Sequence, residues 1–434
     1  MMGLSNSKRL GLLSIILLGI NSMIGTSIFI LPGKVMALVE TWGPFLYLLA
    51  TLFITSIALC FAKCASLFNK NGAAYLYARE AFGDFVGFEV GMMKWVISII
   101  AWATLAVGFA TGLSTLIPIL AEEPFRSFLI VGQITFFTTL NLLGIHSFKF
   151  LNDMITITKL IPLLFIALIG LFFLKSEHFV LTPIHEIEQT NFKEALLMVF
   201  YAFTGFETLA VAAQEMKNPQ KNIPIALVIV IGFCSLLYFL IQIVAIGVLG
   251  PQLAESVTPI SDIAHALGGQ WGKNVVNIGM LISIGGINLV ASFMSPRVAV
   301  ALAEDQLIPS FIGTKNRYES PYVAALLTAL FACAIALSGN FYQLAILNVV
   351  ARFTQYIPTC LALLVLRRRE EWKPLINGPF YVIIPVAALI LSFWLLLQVS
   401  WIQLSAGLGA LLMGVPLYHF FKWKEASETL PQTD

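Results

Sequence analysis

The sequence predicts an all-α polytopic membrane protein, and three observations support this class. Hydrophobic residues make up 59% of the 434-residue chain and charged residues 11%, about half the charged share of a typical soluble domain. The apolar residues form blocks of roughly 20, the helix length that crosses a bilayer, without the alternation typical of a β-barrel. The Lys and Arg residues gather in alternate loops. We therefore expect one domain, residues 1–434, with twelve transmembrane helices.

The apolar blocks define the predicted spans in order. They are residues 10–37, 43–66, 86–113, 126–145, 151–174, 193–215, 223–249, 271–303, 321–338, 341–366, 379–398 and 402–421. Two longer connections, 175–191 and 250–270, are polar and contain proline, which is typical of loops.

The distribution of positive charge predicts the orientation. Most loop Lys and Arg residues, including the run 367–369, fall on the side of the N-terminus, and few fall on the other side: Lys34, Arg126, Lys175, Lys193 and Lys273. Cytoplasmic loops carry the excess of positive residues, so both termini are expected in the cytoplasm. We expect a multi-pass protein of the cell membrane, with residues 422–434 as a cytoplasmic tail.

Two predicted spans contain residues that interrupt a helix. Span 1 reads NSMIGTSIFILPG around Gly25, and span 6 reads MVFYAFTGFETLAVAAQEM around Gly205. Interrupted helices at matching places in two halves of a chain indicate a transporter with inverted repeats. The repeats would be residues 10–174 and 193–366, with 379–421 added as helices 11 and 12. The alternative is that the two glycines only allow close helix packing.

A break in mid-membrane predicts a polar cavity, because its free backbone groups must be satisfied there. The N–H groups at the start of the second half-helix suit a carboxylate, and the carbonyl groups at the end of the first suit an ammonium group. Together they match the two charged groups of an α-amino acid. The predicted substrate-binding residues are Ser22, Ile24, Gly25, Thr26, Ser27, Ala202, Phe203, Thr204 and Gly205.

Four stretches resemble the amino acid–polyamine–organocation (APC) superfamily of amino acid transporters. They are MIGTSIFILPG, NKNGAAYLYAREAFGDFVGFEVGMMKW, FYAFTGFETLAVAAQEMKNPQKNIPIA and SPRVAVALAEDQLIP, spread over most of the first ten spans. The resemblance implies the leucine-transporter (LeuT-like) fold, a 5+5 inverted repeat with broken helices 1 and 6, here with two extra helices. Ser27 stands where the family usually has a second glycine, and Gly72-Ala73 replaces a Gly-Gly pair.

The resemblance also implies roles for single residues. Some proton-coupled members carry a lysine at the position of Lys159, where its ammonium would replace a coupling sodium ion between spans 1 and 8. Ser292 and Ser295 are expected to contact it. Tyr201 matches an aromatic gate over the substrate, and Phe206 is expected to share this role. For Lys159, the alternative is a side chain that extends to the lipid headgroups.

Three further charged residues lie within predicted spans, where each must be paired or hydrated. Glu207 follows the span 6 break and is expected either to take part in proton movement or to cap free N–H groups. Lys94 lies nearer the cytoplasmic end of span 3, which favours extension to the headgroups. For Arg352, pairing with an acidic group and exposure to a vestibule remain alternatives.

These observations predict secondary active transport of amino acids by alternating access, as proton symport or amino acid exchange. The partners would be an amino acid as small-molecule substrate, protons and the lipid bilayer. A polyamine or cationic amino acid antiporter and a transporter-like receptor are the alternatives. No nucleotide-binding motif, metal-ligand spacing or catalytic pair occurs in the sequence, so we expect no enzyme activity, cofactor, metal site or nucleic-acid partner.

Overall fold

The structure is a computed structural model. It describes residues 10–68, 70, 72–114, 116–143, 148–181, 183, 185, 187–211, 213, 216–318, 320–367, 380–399, 401, 404–405, 409, 411–412 and 414–420. Within these ranges the regular elements are helices. The first six are α1 (Leu12–Met23), α2 (Ser27–Val39), α3 (Gly43–Leu67), α4 (Ala74–Phe82), α5 (Asp84–Ser114) and α6 (Phe125–Leu142).

The later helices complete the bundle. They are α7 (Phe148–Ile169), α8 (Gln189–Ala202), α9 (Pro219–Leu249), α10 (Pro259–Glu304), α11 (Tyr322–Ser338), α12 (Phe341–Leu366) and α13 (Phe380–Leu396). Residues 414–420 are also helical, whereas other parts of predicted span 12 and the predicted tail lie outside the described residues.

Among the described residues, six helical segments have the length and apolar composition to cross a membrane. They are Ser27–Leu67, Asp84–Ser114, Asn152–Phe173, Pro219–Glu255, Pro259–Glu304 and Phe341–Leu366. Three shorter apolar helices are Leu12–Met23, Tyr322–Ser338 and Val382–Leu396. These properties are those of a polytopic membrane protein.

The helices pack around the two interrupted segments. The half-helices α1 and α2 are packed against α7, α9, α8 and α10, and the long α5 lies between α10 and α12. Large apolar side chains that point away from this core, such as Phe128, Phe172 and Leu330, are exposed, as expected for surfaces that face lipid.

The structure corrects three details of the predicted elements. Span 6 has its expected break at Gly205, but the described residues directly after it form a 3₁₀ helix, Phe206–Ala210, instead of an α-helical second half. The predicted loop 250–270 contains a 3₁₀ helix, Gly250–Glu255, and the start of α10, which bends at Gly268 and Gly269.

The third correction is α4, which lies between predicted spans 2 and 3 and was not expected. It joins the start of α5 to the end of α10 through a polar network. Tyr75 donates to Asp305 at 2.5 Å, and Arg79 pairs with Asp305 at 3.0 Å and Asp84 at 2.7 Å. Burial and the hydrogen bond to Asp305 raise the pKa of Tyr75, so its hydroxyl stays protonated at neutral pH.

Candidate functional site

The break in the first span forms where the sequence predicted it. α1 ends at Met23, residues 24–26 are non-helical, and α2 starts at Ser27. The carbonyl groups at the end of α1 have no partners within the helix and must find them elsewhere. Tyr238 of α9 donates to the Met23 carbonyl at 3.0 Å. Part of the cost of the break is therefore offset by side chains of neighbouring helices.

Lys159 is a second partner of the broken helix. Its side chain is completely buried, and its Nζ donates to the carbonyl oxygens of Asn21 at 3.1 Å and Ile24 at 2.5 Å. The alternative of a side chain extended to the headgroups does not fit this burial. The ammonium group therefore lies at the negative end of α1, where a cation is favoured.

Gly205 brings the two breaks into contact. Its φ of +110° lies in the left-handed region that favours glycine. A Cβ atom at this position would collide with the carbonyl oxygen of Ser22. Only a residue without a side chain allows the end of α8 to approach the end of α1 in this way. Glycine is therefore required at position 205 by the backbone conformation and by this contact, and not only by close helix packing.

A cavity lies beside the two breaks. The broken first span contributes Ser22 at the end of α1 and Gly25, Thr26 and Ser27 at the break and the start of α2. The buried hydroxyl of Thr26 has no hydrogen-bond partner among the described residues. The walls come from α5 and α10, and most of their side chains there are apolar: Ile97, Ala101, Leu105, Ile287, Val290, Met294 and Val298. The cavity holds about 100 Å³, several times the volume that one water molecule needs.

Charged side chains form one end of the cavity. Glu207 Oε1 lies against the Arg352 guanidinium and 3.8 Å from Lys94 Nζ. Glu207 Oε2 accepts hydrogen bonds from the Gly205 N–H at 3.1 Å and the Tyr356 hydroxyl at 3.4 Å. Glu207 therefore caps the span 6 break and also pairs with two cations.

Two expectations about charged residues are resolved by this cluster. Lys94 was favoured to extend to the headgroups, but only 4% of it is exposed and it points to Glu207. For Arg352 the alternatives were pairing with an acidic group and exposure to a vestibule, and in the structure its guanidinium pairs with Glu207. The depth of both residues in their helices indicated a buried partner. Lys94 lies ~15 Å from the start of α5, and Arg352 lies ~21 Å from the end of α12 on the same side of the bundle.

The structure separates the predicted site residues into two groups. Those that line the cavity are Ser22, Gly25, Thr26, Ser27, Tyr201, Thr204, Gly205, Glu207 and Ser295. Those outside the lining are Ile24, Ala202, Phe203, Phe206, Lys159 and Ser292. Of the two predicted gates, Tyr201 lies against Phe341 with ring centroids 5.9 Å apart, whereas Phe206 is buried and stacks on Tyr356.

The hydroxyls of the two predicted α10 serines point to other partners than Lys159. Ser292 donates to the Leu289 carbonyl at 2.9 Å, and Ser295 to the Ser98 carbonyl at 3.4 Å. Helical serine side chains commonly bond to a carbonyl of the preceding turn, as Ser292 does. The sequence does not predict the hydrogen bond from Tyr238 to the broken end of α1. Nothing near Tyr238 in the sequence indicates a contact with Met23, which is 215 residues away.

Two broken helices that meet beside a buried, partly polar cavity define a class: membrane transporters with discontinuous helices. Residues 10–410 match the family described as "Amino acid permease". The chain belongs to this family, within the APC superfamily. It is therefore an integral membrane transporter rather than an enzyme, and the family supports amino acid transport as its function.

Individual relatives are similar over most of their length. An uncharacterized transporter of Mycobacterium tuberculosis strain H37Rv is 34% identical over 392 residues, covering 83% of this chain and 81% of the relative. The Bacillus subtilis branched-chain amino acid permease BcaP is 26% identical, with 97% and 94% covered. The serine/threonine exchanger SteT of the same organism is 28% identical, with 97% and 98% covered.

Proposed function

We propose that this protein carries out secondary active transport of amino acids across the cell membrane by alternating access. The observation that carries the proposal is the contact between the two breaks at Gly205 and Ser22, beside a cavity that the start of α2 lines. The first N–H groups of α2 would bind the substrate carboxylate, with the unpartnered Thr26 hydroxyl beside them.

The substrate ammonium would bind at the ends of α1 and α8. The Met23 and Ile24 carbonyls already accept hydrogen bonds from Tyr238 and Lys159. The Gly205 carbonyl likewise accepts from the N–H and the hydroxyl of Thr208. The Ser22 carbonyl and the Thr204 backbone then remain as its partners on the cavity wall. In this assignment each charged group of the α-amino acid lies at a helix end of opposite partial charge.

The proposed architecture is the LeuT-like 5+5 inverted repeat with twelve spans. Residues 10–174 and 193–366 would be the repeats, and both termini would be cytoplasmic. The cavity extends from Leu105 towards Lys94 along α5 and from Ile287 towards Val298 along α10, which is the direction of the N-terminal side.

Lys159 is the proposed coupling residue. Its ammonium holds the broken end of α1 through the Asn21 and Ile24 carbonyls, in a place where other transporters would need a cation. Loss of its proton would remove this positive charge and release α1, whereas protonation would restore the contact. Proton symport and amino acid exchange with a permanently charged Lys159 are the two modes that fit this geometry.

Uptake into proteoliposomes tests the proposal. We would measure accumulation of labelled L-serine and L-leucine, with and without an inward proton gradient, in wild type and Lys159→Gln. Lys63→Gln is the control, because Lys63 is also buried in a helix but does not line the cavity. We expect gradient-driven accumulation that is lost in Lys159→Gln and kept in Lys63→Gln.

Other outcomes of this experiment have defined meanings. Uptake that requires internal amino acid and ignores pH would establish exchange and exclude proton coupling. Failure to move any amino acid under a gradient or by exchange would overturn amino acid transport and leave the polyamine and receptor alternatives.

A further inference from the structure

The charges that line the cavity do not balance. Among the lining residues that the structure describes, the ionisable side chains of Asp, Glu, Lys and Arg type are Lys94, Glu207 and Arg352. Two cations and one anion leave one positive charge when all three are ionised. The N-terminal end of α2 adds a partial positive charge on another wall.

The single carboxylate is not available to a substrate. Arg352 lies against Glu207 Oε1, and Arg352 is also fixed by the hydrogen bond that its Nε donates to Asn348 at 2.7 Å. Glu207 Oε2 accepts from the Gly205 N–H and the Tyr356 hydroxyl. Because a guanidinium stays protonated in proteins, it neutralises Glu207 permanently.

When protonated, Lys94 is therefore the charge that has no counter-charge of its own. Its Nζ is 3.8 Å from Glu207 Oε1, beyond the length of a hydrogen bond, and its side chain lines the cavity. A second ammonium brought into the same cavity would meet Lys94 in an environment of low dielectric, without a free carboxylate to offset the repulsion. Charge repulsion of this kind is a common source of specificity.

We propose that Lys94 determines substrate specificity by excluding amino acids with a positively charged side chain, and polyamines, from this cavity. This inference rests on the proposed transport function and narrows its substrate class to amino acids whose side chain carries no positive charge.

Matched ligand pairs isolate the effect of charge. L-Ornithine has the side-chain length of L-norleucine, and L-2,4-diaminobutyrate that of L-norvaline, so each pair differs only by an ammonium in place of a methyl group. We would measure their binding to the purified full-length protein by calorimetry, with L-serine as a further neutral probe. Wild type is expected to bind the neutral member of a pair at least ~10-fold more tightly than the cationic member.

Variants at position 94 test the residue itself. Lys94→Met removes the charge at similar length and is expected to reduce the discrimination within a pair by ~10-fold or more. Lys94→Arg keeps the charge and should keep the discrimination. Lys63→Met removes a buried lysine outside the cavity lining and should behave as wild type. Size-exclusion profiles and L-serine binding identify any variant that fails to fold, and if Lys94→Met does so, Lys94→Gln replaces it as the uncharged variant.

The possible failures are distinguishable. Equal affinity of wild type for both members of a pair would overturn the inference while leaving amino acid transport intact. Discrimination that is unchanged in Lys94→Met would assign it to the apolar walls and overturn the role of Lys94. If L-serine and both neutral probes fail to bind wild type, the proposed function itself is overturned.

Discussion

Three charged side chains lie together in the centre of the bundle, and the free-energy cost of burying each charge depends on the other two. Glu207 is completely buried, and Arg352 and Lys94 are at most 6% exposed. A buried charge without a counter-charge is strongly destabilising, whereas removal of both members of a pair can be nearly neutral. The effects of substituting Arg352 and Glu207 on the free energy of unfolding should therefore not be additive.

A double-mutant cycle tests this coupling. Glu207→Gln leaves the Arg352 charge uncompensated, so we expect the free energy of unfolding to fall by about 3–5 kcal/mol. The double variant Glu207→Gln/Arg352→Met should recover part of this loss because both charges are gone. The measurement is unfolding of the purified protein, followed by tryptophan fluorescence. If the double variant loses as much stability as the sum of both single variants, the two residues are not coupled.

At the scale of elements, the broken helices depend on glycine at one contact. The α8 break can approach the α1 break because Gly205 has a positive φ and no side chain to meet the Ser22 carbonyl. Lys159 and Tyr238 then supply hydrogen bonds to carbonyls that the break in α1 has freed. The end of α1 is therefore held by contacts with α7, α9 and the break that follows α8.

We expect Gly205→Ala to disrupt this contact. Backbone strain of this kind costs about 1–3 kcal/mol, and the added Cβ would push α8 away from α1. The variant should lose amino acid uptake in proteoliposomes and unfold at a lower temperature. Gly232→Ala is the matched control, because Gly232 lies in α9 with open space around it. It should keep uptake and change stability by at most about 1 kcal/mol. Normal uptake by Gly205→Ala would contradict a required contact.

At the scale of the whole molecule, the proposed orientation rests on the positive charges of the loops. Lys315 and Arg317 follow α10 on the proposed cytoplasmic side, and Ser176 lies in the short 3₁₀ helix Ser176–His178 on the opposite side. The described cysteines are all free and lie within helices, and four of the five are buried. The native protein is therefore a suitable background for introduced cysteines.

Labelling of intact cells tests the orientation. Both positions are exposed, and the proposed topology places them on opposite sides of the membrane. A membrane-impermeant maleimide should therefore label Ser176→Cys from outside, whereas Thr314→Cys should react only after permeabilisation. Wild type without added cysteines is the control for background labelling. Labelling of Thr314→Cys in intact cells, with Ser176→Cys protected, would reverse the proposed topology.

Much of the architecture could be read from local patterns. Blocks of apolar residues mark helices such as α3, α5, α9 and α12 to within a few residues, because a helix that faces lipid must satisfy its own backbone and present apolar side chains. The same reasoning located the break at Gly25 and the cavity beside it. The family resemblance rests on four stretches, two of them at the breaks, and the family match over residues 10–410 confirms it.

The sequence by itself determined that this is an all-α polytopic membrane protein, which family it belongs to and where the two breaks lie, since each depends on residues that are neighbours in the chain. Tertiary structure decided which groups meet: Lys159 with the Ile24 carbonyl, and Glu207 with Lys94 and Arg352. It also decided that Ser292 and Phe206 lie outside the cavity lining. The physical reason is that a charged or polar side chain in a bundle takes its partner from another helix, and only packing fixes the rotation and depth of that helix.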